Sequence, residues 1–426
     1  MTHRRLFLLL TIPVLAMACG GGKTTGSSAS PGGDDSGVVD TGTVTTDTGM
    51  VTTTDGSTSG VVNSTPMVVN SGPAGTGSIN VPFISVTLCV PGTSNCQTIP
   101  YVSVDTGSTG LRILSSVLSP SLTLPQANAT TGSPLAECYT FDDGYTWGSV
   151  RTADVKIAGE VAAKIPIHII GDPAFSSVPA GCSSTGMAED TLATFGSNGL
   201  IGINQIVADC GSFCSMAPAQ EGAYYSCSGS TCTAVTVADA NQLSNPIALF
   251  ASDDKNGSVL QFPTVAAGGA ASLAGALVFG IGTAANNALG SAQVLTVDGE
   301  GNFTTVYKGT TMSTSFLDSG TNTLSFNDSS IAQCTDAQGF LCPASPLSLS
   351  AQNVGRNNVM NTIMFGVESA DTLFGNGSDA VFDDLATTGI DNNTFDWGLP
   401  FFVGRNVFVA LQGASTPGGD GPYFAY

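Results

Sequence analysis

The sequence predicts a mostly-β chain built as two similar units. Three observations carry this: the composition, the rhythm of short apolar runs, and an internal repeat. Gly fills 53 of 426 positions and charged residues only 10%, while Thr, Ser, Asn and Val supply much of the rest, which favours strands and turns over helices. Short strand-like runs recur to the C-terminus without a long amphipathic helix between them. Short helices are expected only near Met187–Thr194 and Asp379–Leu385.

The ordered part is expected to start near Ile79. Val81–Cys89 reads as a strand and Thr98–Val104 as its hairpin partner, joined by the turn-rich Pro91-Gly-Thr-Ser-Asn-Cys96. Val102-Ser-Val-Asp105-Thr-Gly-Ser108 then leads into the apolar Leu111-Arg-Ile-Leu114. The same pattern returns as Ser315-Phe-Leu-Asp318-Ser-Gly-Thr321 before Leu324-Ser-Phe326. Each block has an apolar-apolar-Gly partner downstream, Leu200-Ile-Gly202 for the first and Phe402-Val-Gly404 for the second. Two units thus carry the same two signals in the same order. A third Asp-Thr-Gly-Thr, at Asp40, has neither a strand before it nor an apolar run after it, and reads as filler.

These blocks resemble the pepsin-like aspartic peptidases over roughly Ile79 to Tyr426. The resemblance implies a bilobed acid-protease fold, two pseudo-symmetric β lobes with a cleft between them. One catalytic Asp would come from each lobe, Asp105 and Asp318. Thr106 and Ser319 would cross-link the loops, Gly107 and Gly320 would permit their tight turns, and Ser108 and Thr321 would support the outer carboxylate oxygens. Tyr139-Thr-Phe-Asp-Asp-Gly-Tyr-Thr-Trp-Gly148 resembles the substrate-covering flap, with Phe141, Asp142, Asp143, Gly144 and Tyr145 at its tip. Pepsin carries a Trp at the position of Arg112 and a Tyr at that of Phe141. Arg112 is therefore expected to support the flap by pairing with Asp142 or Asp143, unless it is solvated and Trp147 packs in place of the missing Trp.

Two neighbouring carboxylates share one proton, so one can accept a proton from water while the other polarises a carbonyl. No cofactor is needed. The expected activity is an aspartic endopeptidase acting on extended peptides. The alternatives are a non-catalytic peptide- or protein-binding lipoprotein on the same fold, and a glycan-binding surface protein that ignores the cleft.

The chain start bears on location. His3-Arg4-Arg5 precedes the apolar run Leu6–Ala18, and Leu15-Ala-Met-Ala-Cys19 resembles the lipobox of bacterial lipoproteins. That resemblance implies cleavage before Cys19, lipidation of its thiol and, with Gly20 next, an outer-membrane destination. Expected segments are therefore 1–19 signal peptide with lipidated Cys, 20–77 disordered tether, 78–245 N-terminal lobe and 246–426 C-terminal lobe. The tether is Gly, Ser, Thr and Asp with scattered Val, too polar to order itself, with a reach on the order of 40 Å.

Eleven Cys less Cys19 leave an even number, which suits disulfides in an oxidising compartment. Cys89 with Cys96, Cys334 with Cys342 and Cys138 with Cys182 are the expected pairs. Cys210, Cys214, Cys227 and Cys232 form a cluster with three possible connectivities, and zinc is its rival occupant. The exported chain holds one His, His168, expected as a strand residue, so multi-His metal sites are excluded and no metal is expected. A formal net charge of -21 argues against nucleic-acid partners. Expected partners are a peptide or protein substrate and, through the lipid alone, a membrane; the chain is expected to act as a monomer.

Overall fold

In the computed structural model, residues 63–141, 144–216 and 223–426 are described, all within one compact unit, Val61–Tyr426. Cys19, Asp40 and most of the expected tether lie outside them, as do Asp142 and Asp143.

The first half supplies β1 (Ser64–Val69), β2 (Pro82–Cys89), β3 (Cys96–Asp105) and β4 (Thr109–Leu114). It continues with β5 (Leu135–Thr140), β6 (Gly144–Ile157), β7 (Glu160–Ile170), β8 (Met187–Ala188) and β9 (Gly199–Ile203). The hairpin β10 (Tyr224–Ser228) and β11 (Thr231–Ala234) closes this lobe. Then follow β12 (Gly257–Gln261), β13 (Leu273–Phe279) and β14 (Val294–Thr296). The second lobe is built on β15 (Phe303–Tyr307), β16 (Thr310–Leu317), β17 (Leu324–Ser325) and β18 (Leu347–Val354). It is completed by β19 (Met360–Val367), β20 (Ala386–Thr387) and β21 (Asp396–Trp397). β22 (Asn406–Ala410) returns to the first sheet.

The expectation of a mostly-β, bilobed chain holds. A 7-stranded sheet runs β19-β18-β15-β16-β21-β17-β20, and a larger one contains β1–β13 and then β22 and β14. The large sheet is not confined to one half of the sequence. β1 pairs with β2 on one side and with β13 on the other, Ser64 opposite Val278, so the two halves share a floor.

β1 corrects the expected tether, which was drawn as disordered to residue 77. Met67 and Val69 are buried, alternating as a half-buried strand does. Six residues gave too little apolar surface to mark a strand, because the edge that completes it lies some 200 residues away. The helix expected at Asp379–Leu385 is also absent. Asn80 clamps that segment, its side chain donating to Phe382 O at 3.0 Å and accepting from Phe382 N at 2.8 Å. A helix forms instead at Ala370–Phe374, and the other expected helix is limited to Leu192–Phe195, capped by Thr191.

Five disulfides close the cysteine account: Cys89–Cys96, Cys138–Cys182, Cys210–Cys214, Cys227–Cys232 and Cys334–Cys342. The clustered four are spent on two local bridges, which leaves no thiolate for zinc.

Candidate active site

Asp105 ends β3 and Asp318 follows β16, so each carboxylate sits on the turn into the next strand, β4 or β17. Both are fully buried. The two loops interlock through hydroxyls. Thr106 Oγ1 donates to Leu317 O at 3.0 Å and accepts from Ser319 N at 2.9 Å. Ser319 Oγ reciprocates, donating to Val104 O at 2.7 Å and accepting from Thr106 N at 3.1 Å. Within each loop the Gly amide and the following hydroxyl serve the carboxylate. Gly107 N and Ser108 Oγ donate to the two oxygens of Asp105. Gly320 N donates to Asp318 Oδ1 at 2.8 Å, and Thr321 Oγ1 lies 3.4 Å from Asp318 Oδ2. A Cβ on Gly107 would overlap the Asp318 carboxyl group. Gly is therefore required where the two loops meet.

A crossing strand supports each loop. β9 lies between β3 and β4, parallel to the first and antiparallel to the second, with Asp105 opposite Gly202. β21 stands in the same relation to β16 and β17, with Leu317 opposite Trp397. The glycine matching Gly202 is thus Gly398. A Cβ on Gly202 would come within 2.5 Å of Ser108 C and Thr109 N, and one on Gly398 within 2.5 Å of Thr321 O. This corrects Phe402-Val-Gly404 as the second partner. Leu399–Phe402 is a short helix, and Gly404 turns the chain toward β22, its amide donating to Pro263 O at 3.0 Å. The true signal, Asp396-Trp-Gly398, breaks the apolar-apolar-Gly pattern because its first residue is a buried Asp.

The segment expected as the flap is the β5–β6 hairpin, with Thr140 opposite Tyr145 and Phe141 N bonded to Gly144 O at 2.8 Å. Phe141 is buried against Leu114, Ile170, Phe195 and Leu200. It helps line a small pocket that reaches Gly320 and Asn322 of the second loop and includes Glu189. The pocket thus lies between the β5–β6 hairpin and Gly320, two residues after Asp318.

Asp142 and Asp143 lie outside the described residues, and among the described residues Arg112 pairs with other groups. Its side chain is 0% exposed and points into the first lobe. Nη2 lies 2.8 Å from Glu137 Oε1 and 3.2 Å from Asp209 Oδ2, Nη1 donates to Thr109 O at 2.7 Å, and the guanidinium stacks 3.6 Å from the Tyr139 ring centroid. His168 Nδ1 approaches Glu137 Oε2 at 2.7 Å, and Tyr224 donates to Asp209 Oδ1 at 3.0 Å. Burial opposes the charge of Arg112, but Glu137 and its other neighbours outweigh it and hold the guanidinium charged. Burial and then the Arg112 charge keep His168 well below the usual imidazole range. Burial and then Glu137 push Asp209 well above the usual carboxyl range. Trp147 does not take the vacant place either; its Nε1 donates to Phe175 O at 2.6 Å and its ring meets Tyr225 edge-on.

Sequence reasoning missed Glu137, Asp209 and Asp396. A signal existed for the first: Glu137, Arg112 and His168 each interrupt an apolar strand run, and charges so placed must find one another.

Residues 59–426 match the family model of DUF3443, described as a protein of unknown function. The chain belongs to the DUF3443 family. No curated protein matches it. Among solved structures it is similar to an aspartic proteinase from Irpex lacteus, with 14% identity and a TM-score of 0.47 over 85% of this chain and 96% of that one.

Proposed function

We propose that this DUF3443 chain is an aspartic endopeptidase with Asp105 and Asp318 as its catalytic pair. The observation that carries this is the reciprocal Thr106–Ser319 lock, which holds two buried Asp-Thr/Ser-Gly loops face to face. The mechanism of such a pair uses one shared proton. The ionised member takes a proton from a bound water, whose oxygen attacks the peptide carbon. The protonated member gives its proton to the carbonyl oxygen. The tetrahedral intermediate then collapses to the acid, one of its hydroxyls returning a proton to the ionised member while the other member gives its proton to the departing amine.

The test is cleavage of a peptide library across acidic and neutral pH, alongside a thermal shift with pepstatin. Turnover lost in Asp105→Asn and in Asp318→Asn, with folding retained, is the expected result; turnover that survives either change removes the peptidase reading. Inhibitor binding without any turnover would mark a binding module instead.

We also propose anchoring through Cys19, on the strength of Leu15-Ala-Met-Ala-Cys19 alone. Cys19→Ser should lose both lipid mass and membrane fractionation.

A further inference from the structure

The two crossing strands differ at one place that bears on the carboxylate pair. Two residues before each crossing glycine, the first lobe has Leu200 and the second Asp396. These are matching positions. Leu200 lies opposite Ser103 and Arg112, and Asp396 opposite Phe316 and Ser325. Asp396 is 3% exposed, and its Oδ2 accepts from Thr321 Oγ1 at 2.8 Å. That same hydroxyl stands 3.4 Å from Asp318 Oδ2. A hydroxyl has one proton to give, and the shorter contact takes it to Asp396. In the first lobe Ser108 Oγ donates to Asp105 Oδ2, and the matching crossing position is an alkane.

We propose that Asp396 is a third carboxylate of the site, a positioning residue that draws the Thr321 hydroxyl from Asp318 and so keeps the shared proton on Asp318. The lone pair of Thr321 Oγ1 that then faces Asp318 is an acceptor, which suits a protonated carboxyl and repels an ionised one. The titratable groups at this place are Asp318, Asp105 on the interlocked loop, and Glu189 across the adjoining pocket. β16 and β17 present Phe316 and Ser325 at its register, neither of them charged. A negative charge held near the pair opposes loss of its last proton. The sign follows: Asp396 moves the neutral-side limb of the pH–activity profile upward, and its removal moves that limb down.

The inference rests on the peptidase reading, so its test has two readouts. The first is the pH profile of kcat/KM for wild type, Asp396→Asn and Asp396→Leu. Asn keeps the hydrogen-bonding shape without the charge, and Leu installs what the first lobe carries at the matching position, so either variant suffices if the other fails to fold. In each, the neutral-side limb should fall by about one pH unit. A limb that stays in place or rises overturns the proposal. The second readout is NMR titration of ¹³C-labelled aspartate carboxyls, with the Asp318 signal assigned by its loss in Asp318→Asn. Its midpoint should drop in both variants whether or not peptide is cleaved. Absence of turnover would remove the peptidase reading alone, whereas an unmoved Asp318 titration would remove this one.

Discussion

Behind the Asp105 loop, β4 turns Arg112 inward to a buried cluster of Glu137, His168, Asp209 and Tyr224. At the matching position behind the Asp318 loop stands Ser325, opposite Asp396, and the core face of the same strands carries stacked aromatic rings. Phe395 stacks on Trp397 at 3.9 Å and on Phe326 at 4.7 Å, while Phe365 meets all three edge-on. Trp397 Nε1 finds a partner in Thr305 Oγ1 at 3.1 Å. One lobe sets charges behind its loop and the other stacks rings beneath, yet both loops share the reciprocal Thr106–Ser319 bonds and the glycine amide on the carboxylate. The loop geometry thus depends on the crossing strand and its glycine, and the filling beneath it is free to differ. The two fillings fail in different ways. A buried ion cluster is all-or-none, because removing one partner strands the others in a medium that cannot solvate them. An aromatic stack loses energy in proportion to what is removed.

The sharpest test of equivalence is catalytic. Asp105→Asn and Asp318→Asn should abolish turnover alike, measured on the same peptide. A large difference between them would mean that the lobes are not equal partners.

The next effect is on stability. Arg112→Met should cost about 3–5 kcal/mol in denaturant unfolding, and adding Glu137→Gln should recover part of that loss. Trp397→Ala should cost a similar amount but gain nothing from Glu137→Gln. Equal behaviour would erase the distinction between ionic and aromatic foundations.

Gly202→Ala and Gly398→Ala should each cost about 1–3 kcal/mol through overpacking and also lower kcat, because the added carbon pushes on the loop. Gly404, at a φ of 77°, should cost about 1–2 kcal/mol as Ala through its left-handed backbone without lowering kcat. If Gly404→Ala reduced kcat as much as Gly398→Ala, β21 would lose its place as the second crossing.

The smallest effect is the pH dependence of the ionic cluster. His168 has its folded value depressed, so the unfolded chain takes up a proton that the folded chain refuses. Stability from this group is therefore present above about pH 6.5 and is lost as the pH falls below it. The slope is at most about 1.4 kcal/mol per pH unit. His168→Gln should flatten that part of the stability profile relative to wild type between pH 7 and 5. An unchanged slope would mean that His168 is already protonated in the fold, and that the cluster carries two cations.

The sequence by itself determined the two Asp loops, their flanking strands, the first crossing at Leu200-Ile-Gly202, and the disulfides between near neighbours. All of these are local: a turn, an alternation or a short loop closure leaves its mark within about ten residues. The tertiary structure decided what depends on distant partners. β1 became a strand because β13 offers it an edge, and Arg112 turned inward because Glu137 and Asp209 are brought to it from other strands. Asp396-Trp-Gly398 became the second crossing despite its polar first residue, because Thr321 gives that carboxylate a buried donor. A buried charge is readable only through its partner, and here the partners lie 25 to 97 residues away from Arg112 and 75 from Asp396.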